Sequence, residues 1–244
     1  MDRIAVVTGA AGGMGQAISR RLHHDGLTVV GIDIRWGADD DRLSDIMTCM
    51  TADLTDQGAV ASLFETINEI HGRIDVLVNN AGTCLMSDFP TIPEDEFRQQ
   101  MAINFDSCFH CCQAAIPFMM KRQSGDDTVR KIINISSNGA YNFDVFDPPH
   151  YRASKAAMDA LTKDLARRYA TDRISVNSIA PAMTETPLFN VVSEEVLAKA
   201  ISAMPHGTAM QPSQIAAWVG FLAGDGGDVC SGNVIILNQG RDVR

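Results

Sequence analysis

The sequence predicts a single α/β domain built on a doubly wound parallel sheet with helices on both faces. Three observations lead there. Short apolar runs alternate with stretches of helical periodicity along the whole chain. The first of them, RIAVVT, is a short apolar run with valines, the type of a parallel strand buried on both faces. No Pro/Gly/Ser-rich linker or internal repeat divides the 244 residues, a length that such sheets reach as one unit.

The elements follow in order. Arg3–Thr8 (RIAVVT) is the first strand, and a glycine cluster follows it. Met14, Ala17, Ile18 and Leu22 recur at helical spacing up to a stop near Gly26. Leu27–Ile32 is the second strand and Thr48–Ala52 a weaker third. Gln57–His71 is a helix with Val60, Leu63, Phe64, Ile67 and Ile70 on one face. Ile74–Val78 is the fourth strand, and a long helical region runs from Glu94 to about Arg122. Lys131–Ser136 is the fifth strand, Arg152–Tyr169 a helix with alanines at one face, and Ile174–Ile179 the sixth strand. Val191–Met204 and Pro212–Leu222 read as helices, and Asn233–Leu237 closes the sheet. Trp36–Met47, Asn138–His150 and Pro187–Met210 are long loop regions, which in a compact domain are usually functional.

Composition excludes several classes. A chain 45% hydrophobic and 20% charged is neither disordered nor fibrous. A net charge of −10, with its densest run at Asp39–Asp41, lacks the basic stripe of a nucleic-acid binder. No apolar stretch approaches the ~18 residues that cross a membrane. Met-Asp-Arg leads straight into a strand, so no signal peptide is expected and the expected location is cytoplasmic. Six cysteines are too few for a disulfide scaffold.

Two segments carry chemistry. After the first strand comes Thr8-Gly9-Ala10-Ala11-Gly12-Gly13-Met14-Gly15, then a helix. Glycines let the backbone approach a pyrophosphate, and a helix N-terminus offers free N–H groups to it. Asp33, at the end of the second strand, stands about 20 positions on, where a carboxylate accepts from ribose hydroxyls. It would repel a 2′-phosphate, so NAD(H) is expected over NADP(H); Arg35, two positions later, could soften that choice. The glycines allow two registers, Gly9/Gly13/Gly15 or Gly9/Gly12/Gly15. The second segment is Tyr151-Arg152-Ala153-Ser154-Lys155. Residues four apart share a helix face, and a nearby ammonium lowers a phenol towards a usable acid/base range.

Together these motifs resemble the short-chain dehydrogenase/reductase family in its short form, over the whole chain. The first glycine register is that form's TGxxxGxG; the second is that of its longer, epimerase-like relatives. The resemblance continues through Asp53-Leu54, Asn79-Asn80-Ala81-Gly82, Asn104, Asn134-Ile135-Ser136-Ser137, Tyr151, Lys155, and Pro181 to Thr186. It implies a Rossmann-like sheet of about seven strands in the order 3-2-1-4-5-6-7, with a small helical lid over about 187–210. It implies Asn104, Ser137, Tyr151 and Lys155 as catalytic. Tyr151 would exchange a proton with the substrate oxygen, Ser137 would bond that oxygen, and Asn104 would hold a relay water. The implied cofactor residues are Gly9, Gly12, Gly13, Met14, Gly15, Asp33, Ile34, Asp53, Leu54, Asn80, Ala81, Gly82, Tyr151, Lys155, Pro181, Met183 and Thr186.

The implied activity interconverts a secondary alcohol and a ketone. Reduction of a 3-oxoacyl thioester and oxidation of a cyclic alcohol or dihydrodiol both fit. The alternative is an inert dinucleotide-binding sensor or subunit on the same fold. The resemblance also implies a homotetramer. There are departures. The stretch from Ser137 to Tyr151 is one residue longer than usual, which makes Ser136 a rival to Ser137. Ala182 replaces a glycine, and Asn238-Gln239-Gly240 replaces a common Asp-Gly-Gly.

Cys108, His110, Cys111 and Cys112 invite a metal reading, but they lie mid-helix without a second ligand pair, so no metal is expected. His150 is expected to be partly exposed at the helix start. Phe143, Val145, Phe146, Pro148, Pro149, Met183, Leu188, Phe189, Val191 and Val192 suggest a fairly apolar substrate pocket without an arginine clamp.

Overall fold

In the computed structural model, which describes residues 2–37, 43–121, 124–142, 147–187 and 194–242, seven apolar runs pair as parallel strands. They are β1 (Ile4–Thr8), β2 (Thr28–Asp33), β3 (Met47–Thr51), β4 (Val76–Asn79), β5 (Arg130–Ile135), β6 (Ile174–Pro181) and β7 (Val234–Leu237). Their order is β3-β2-β1-β4-β5-β6-β7, the order expected. Val6 of β1 stands opposite Val30 of β2 on one side and Leu77 of β4 on the other. The winding reverses between β1 and β4, so a crevice opens at their carboxyl ends, where sheets of this kind take ligands.

Successive strand residues point to opposite faces. Ile4 and Val6 pack against α2 (Gln57–His71), α4 (Ser107–Met120) and α5 (Pro149–Arg168). Ala5 and Val7 pack against α1 (Gly13–His24) and α7 (Pro212–Ala223). Each large aliphatic side chain so buried contributes about 1.5–3 kcal/mol. Asp56 caps α2, its carboxylate accepting from Gly58 N at 2.8 Å and Ala59 N at 3.0 Å.

The helix expected from Glu94 to Arg122 is not continuous. α3 (Glu94–Met101) passes into a π-helical segment, Ala102–Asp106, before α4 begins. Such wide turns redirect a side chain, and Asn104 lies within this one. Arg122 lies outside the described residues. α5 starts earlier than expected, at Pro149, because proline suits the first helical position. Of the expected lid, α6 (Glu194–Ser202) and the run to Met210 are described, and residues 188–193 are not.

The opposite end of the sheet, at the amino ends of β4 and β5, holds a charge cluster. Asp75 is fully buried and accepts from Ile4 N (2.8 Å), Arg73 Nη2 (2.6 Å) and the guanidinium of buried Arg130. Arg130 also reaches Asp126, at 2.5 Å. Among the described residues, no helix is long and apolar enough to cross a membrane.

Candidate active site

The glycine loop turns out of β1 at Gly9, whose φ is +62°. A Cβ on Gly9 would stand 2.8 Å from Ala81 Cα, and one on Gly15 would stand 2.1 Å from Gly9 O. The two registers differ in their middle glycine. A Cβ on Gly13 would press Pro187 Cδ at 3.0 Å, whereas one on Gly12 would meet only Gly9 O at 3.4 Å. The steric demand therefore falls on Gly9, Gly13 and Gly15. Gly12 is the N-cap of α1 and no side chain caps that end, so its first-turn N–H groups and dipole are left for a ligand.

A groove of about 370 Å³ runs along this loop. Gly9, Gly12, Gly13, Met14 and Gly15 form its floor, and Asp33, Ile34, Asp53 and Leu54 one end. Asp33 accepts from Ala11 N at 3.0 Å and Ile34 N at 2.8 Å, which ties β2 to the loop. Arg35 is exposed beside it. Asp53 accepts from the hydroxyl and backbone N–H of Thr55 at 2.7 and 2.9 Å, and these bonds hold its carboxyl below the usual range.

Asn80, Ala81 and Gly82 line the other side of the groove. Asn80 Nδ2 donates to Thr8 O and Gly9 O, both at 3.0 Å, so the fourth strand's exit is latched to the first strand's turn. Thr186 and Pro187 close the groove from the far side, while Pro181 ends β6 and Met183 packs against the core beside α7. Ala182 has a negative φ, so its replacing a glycine carries no strain. A side-chain-free cradle at an open helix N-terminus, with a strand-end carboxylate beside it, fits a dinucleotide: pyrophosphate on the loop, ribose hydroxyls on Asp33.

Beyond Gly82 the groove meets a cluster of buried polar groups. Lys155, one turn after Tyr151 on α5, is buried and donates from Nζ to Ile135 O at 2.9 Å. Burial lowers its pKa to about 8. Tyr151 is held above its ordinary value, first by burial and then by the charges of Asp147 and Cys84; a hydrogen bond with Ser137 pulls the other way. The expected lowering by Lys155 is not among these influences, because the ammonium is turned to the end of β5. Ser137 also accepts from Gly139 N at 3.0 Å. Ser136 points away, donating to Asp159 at 2.9 Å. The two serines thus face different ways, Ser136 to Asp159 and Ser137 to Gly139 in the loop that follows it.

Asn104 is held on both sides. Its Oδ1 accepts from Thr83 N at 2.8 Å, and its Nδ2 donates to Thr83 O at 2.9 Å and Ser154 Oγ at 3.0 Å. Both amide hydrogens are used, so a relay water there would have to donate to an oxygen of Asn104. The π turn is what swings this side chain into the gap between Thr83 and α5.

A family model described as enoyl-(acyl carrier protein) reductase matches residues 9–242. The chain belongs to the short-chain dehydrogenase/reductase family. It is 30% identical over 247 residues to a 3-oxoacyl-[acyl-carrier-protein] reductase, FabG, of Thermotoga maritima, covering 98% of this chain and 97% of that one. It is 31% identical over 249 residues to an acetoacetyl-CoA reductase of an Acinetobacter species, covering 98% and 97%. Its fold superposes on the RhlG/NADP active-site complex of Pseudomonas aeruginosa with a TM-score of 0.90 at 29% identity, covering 98% and 96%. These matches make the chain an oxidoreductase of the family.

As a member of this family the chain carries features its motifs did not disclose. Ser154 is fully buried, donates to Tyr151 O at 2.7 Å and receives Asn104. Its place three residues after Tyr151, on the same face, was the available signal. Asp159, four after Lys155, gathers Ser136, Tyr141 and Ser178 at 2.9, 2.8 and 2.6 Å. His150 is 3% exposed, not partly exposed as expected. The early start of α5 puts it in the first turn facing α3, with Nε2 3.2 Å from Glu96 Oε1. The approach is an ion pair once the ring is protonated, not an aligned hydrogen bond. Cys108, Cys111 and Cys112 are buried in the core, and Cys112 accepts from Asn79 at 3.3 Å. Phe143, Val145, Phe146, Leu188, Phe189, Val191, Val192 and Asp39–Asp41 lie outside the described residues.

Proposed function

We propose that this protein is an NAD(H)-dependent oxidoreductase that interconverts a secondary alcohol and a ketone, with Tyr151 as the acid/base. The observation that carries the reading is that Lys155, one turn after Tyr151 on α5, brings its Nζ to Gly82 at the inner end of the groove, with Ser137 just past the end of β5. A bound nicotinamide dinucleotide supplies the hydride. The chain's part is to position the substrate carbon and to manage a proton.

Ser137 bonds the substrate oxygen and holds it against Tyr151. Tyr151 is protonated at neutral pH, as an ordinary phenol is, and burial strengthens its hold on the proton; it donates that proton as the oxygen gains negative charge. This suits the direction from ketone to alcohol. Lys155 reaches the cofactor's ribose, and Asn104 is a positioning residue that fixes Thr83 and, through Ser154, the start of α5. Asp33 favours NAD(H), since its carboxylate meets ribose hydroxyls well and a 2′-phosphate badly.

The substrate is a small molecule, and Pro148, Pro149 and Met86 give its groove an apolar wall. Of the expected lid, the described part from Glu194 to Met210 is proposed to border the substrate. The assembly proposed is a homotetramer, supported by aromatic side chains left exposed on outward helices: Phe109 on α4, and Trp218 and Phe221 on α7. Light scattering that gives a monomer counts against it.

The test follows nicotinamide absorbance over a panel of cyclic and acyclic ketones and alcohols, with NAD(H) and NADP(H), beside Tyr151→Phe. Turnover by the parent that the variant loses, with NADH binding retained, supports the reading. Turnover that survives in Tyr151→Phe overturns it. NADH binding without any turnover favours an inert sensor on the same fold.

A further inference from the structure

We infer that Asp147 selects the substrate: its carboxylate accepts a hydrogen bond from a hydroxyl carried near the reacting carbon, so the substrate is a hydroxylated ketone or a polyol. The inference rests on the reaction centre at Ser137 and Tyr151 proposed above.

Asp147 reaches into that centre from the turn before α5. Its Oδ2 lies 2.2 Å from where a Cβ on Gly139 would stand, and Ser137 Oγ lies 3.2 Å from the same point. The carboxylate therefore packs into the space that the missing side chain of Gly139 leaves, on the side where the serine hydroxyl lies. Its charge is felt by Tyr151 and by Cys84. On its other side Asp147 borders a groove of about 900 Å³, with Met86, Phe89, Pro148 and Arg152. That groove gives a route in from solvent.

The carboxylate oxygens accept no hydrogen bond from the described residues. The nearest guanidinium, Arg152, donates from Nε to the backbone oxygen of Asp147 at 2.8 Å and from Nη1 to Asn142 O. Burial accordingly holds the carboxyl above its ordinary range, against the positive charges of Arg152 and Arg241. Its oxygens are not among the buried atoms that lack a partner, so they stay within reach of solvent and of a ligand. A ligand hydroxyl donated to a carboxylate makes a charge-assisted bond, stronger than one between neutral groups. The two arginines decide which donor is suited, because they disfavour an ammonium and leave a neutral hydroxyl unaffected.

The experiment compares cyclohexanone with 2-, 3- and 4-hydroxycyclohexanone. Binding is measured calorimetrically to protein loaded with ADP-ribose, which has no nicotinamide ring, so no hydride can pass to or from the ketone or the hydroxyl. At least one hydroxylated isomer should bind about 10- to 100-fold tighter than cyclohexanone. Asp147→Ala should erase that preference and leave dinucleotide and cyclohexanone binding unchanged. Asp147→Asn, which keeps the shape and a weaker acceptor, should reduce the preference several-fold, and it stands in if the alanine variant does not fold. A parent that binds no isomer better than cyclohexanone, or a preference that survives both substitutions, overturns the inference. Failure of the reaction itself reads out separately, as turnover retained by Tyr151→Phe.

Discussion

Asn104 Oδ1 and Lys155 Nζ stand the same 3.3 Å from the point where a Cβ on Gly82 would lie. They come from different elements, the π segment and α5, and converge on a residue that has no side chain. Each is anchored, Asn104 on Thr83 and Ser154, Lys155 on Ile135 O. Neither can give way cheaply.

Gly82→Ala should therefore displace one of them by a few tenths of an ångström. Misplacement on that scale in a reaction centre costs rate far more than stability. The expected result is a kcat reduced on the order of 10-fold, with thermal unfolding within a few degrees of the parent. Steady-state kinetics and circular dichroism check it, and a parental kcat would mean that the spacing of Asn104 and Lys155 has no bearing on the chemistry.

Asp33→Ala should shift cofactor choice. The carboxylate holds Ala11 N and Ile34 N and presents its charge to the groove end. Removing it loosens the loop, so use of NADH falls, and it also removes the repulsion that a 2′-phosphate meets. The ratio of kcat/KM for NADPH over NADH should rise by about 10-fold or more, since like-charge contacts cost several kcal/mol. An unchanged ratio would falsify the assignment of Asp33 to the ribose.

The fold was legible because burial writes itself into composition. Every residue of β1 is buried and its run is nearly all apolar; β6, equally buried, carries Ser175, Asn177 and Ser178, whose side chains find hydrogen-bond partners inside. The glycine loop was legible for a steric reason, since only glycine satisfies Gly9 and Gly15. The π turn at Asn104 was not legible, because its helical periodicity differs from α3 and α4 by one residue in five. Nor was the place of Asp147. A carboxylate's neighbours depend on how the loop after Ser137 folds, and loop conformation has no periodicity to read. His150 misled for a related reason: its burial follows from α5 starting at Pro149, and the expected start was Arg152.

Asp75 supports the fold from the amino ends of the central strands. It is buried and bonded to Ile4 N, Arg73 and Arg130. Removing one partner of a buried ion cluster leaves the others uncompensated, at about 3–5 kcal/mol. Asp75→Ala should lose stability of that order in urea unfolding. NADH affinity of the folded fraction should be unchanged, since the groove lies at the opposite strand ends. A loss below about 1 kcal/mol, the scale of a surface pair, would mean that Arg73 and Arg130 find other partners.

Lys155 is the residue where chemistry and stability should conflict. Burial lowers its pKa from 10.5 to about 8 in the folded chain. In the unfolded chain it titrates near its ordinary value. Between about pH 8 and 10.5 the unfolded state thus holds more protons, and this group makes stability rise with pH. Below pH 8 the folded protein carries the full cost of a buried ammonium; above 10.5 it carries none. The cost is up to about 3 kcal/mol by the usual conversion. Lys155→Met has no such group at any pH. It should therefore be more stable than the parent at pH 7, and that advantage should shrink as the pH is raised from 8 towards 10. Urea unfolding of both proteins across that range isolates the one titration, because every other group is common to the pair. An advantage that stays constant or grows with pH would show that the ammonium is not paying a burial cost, and that its bond to Ile135 O outweighs desolvation.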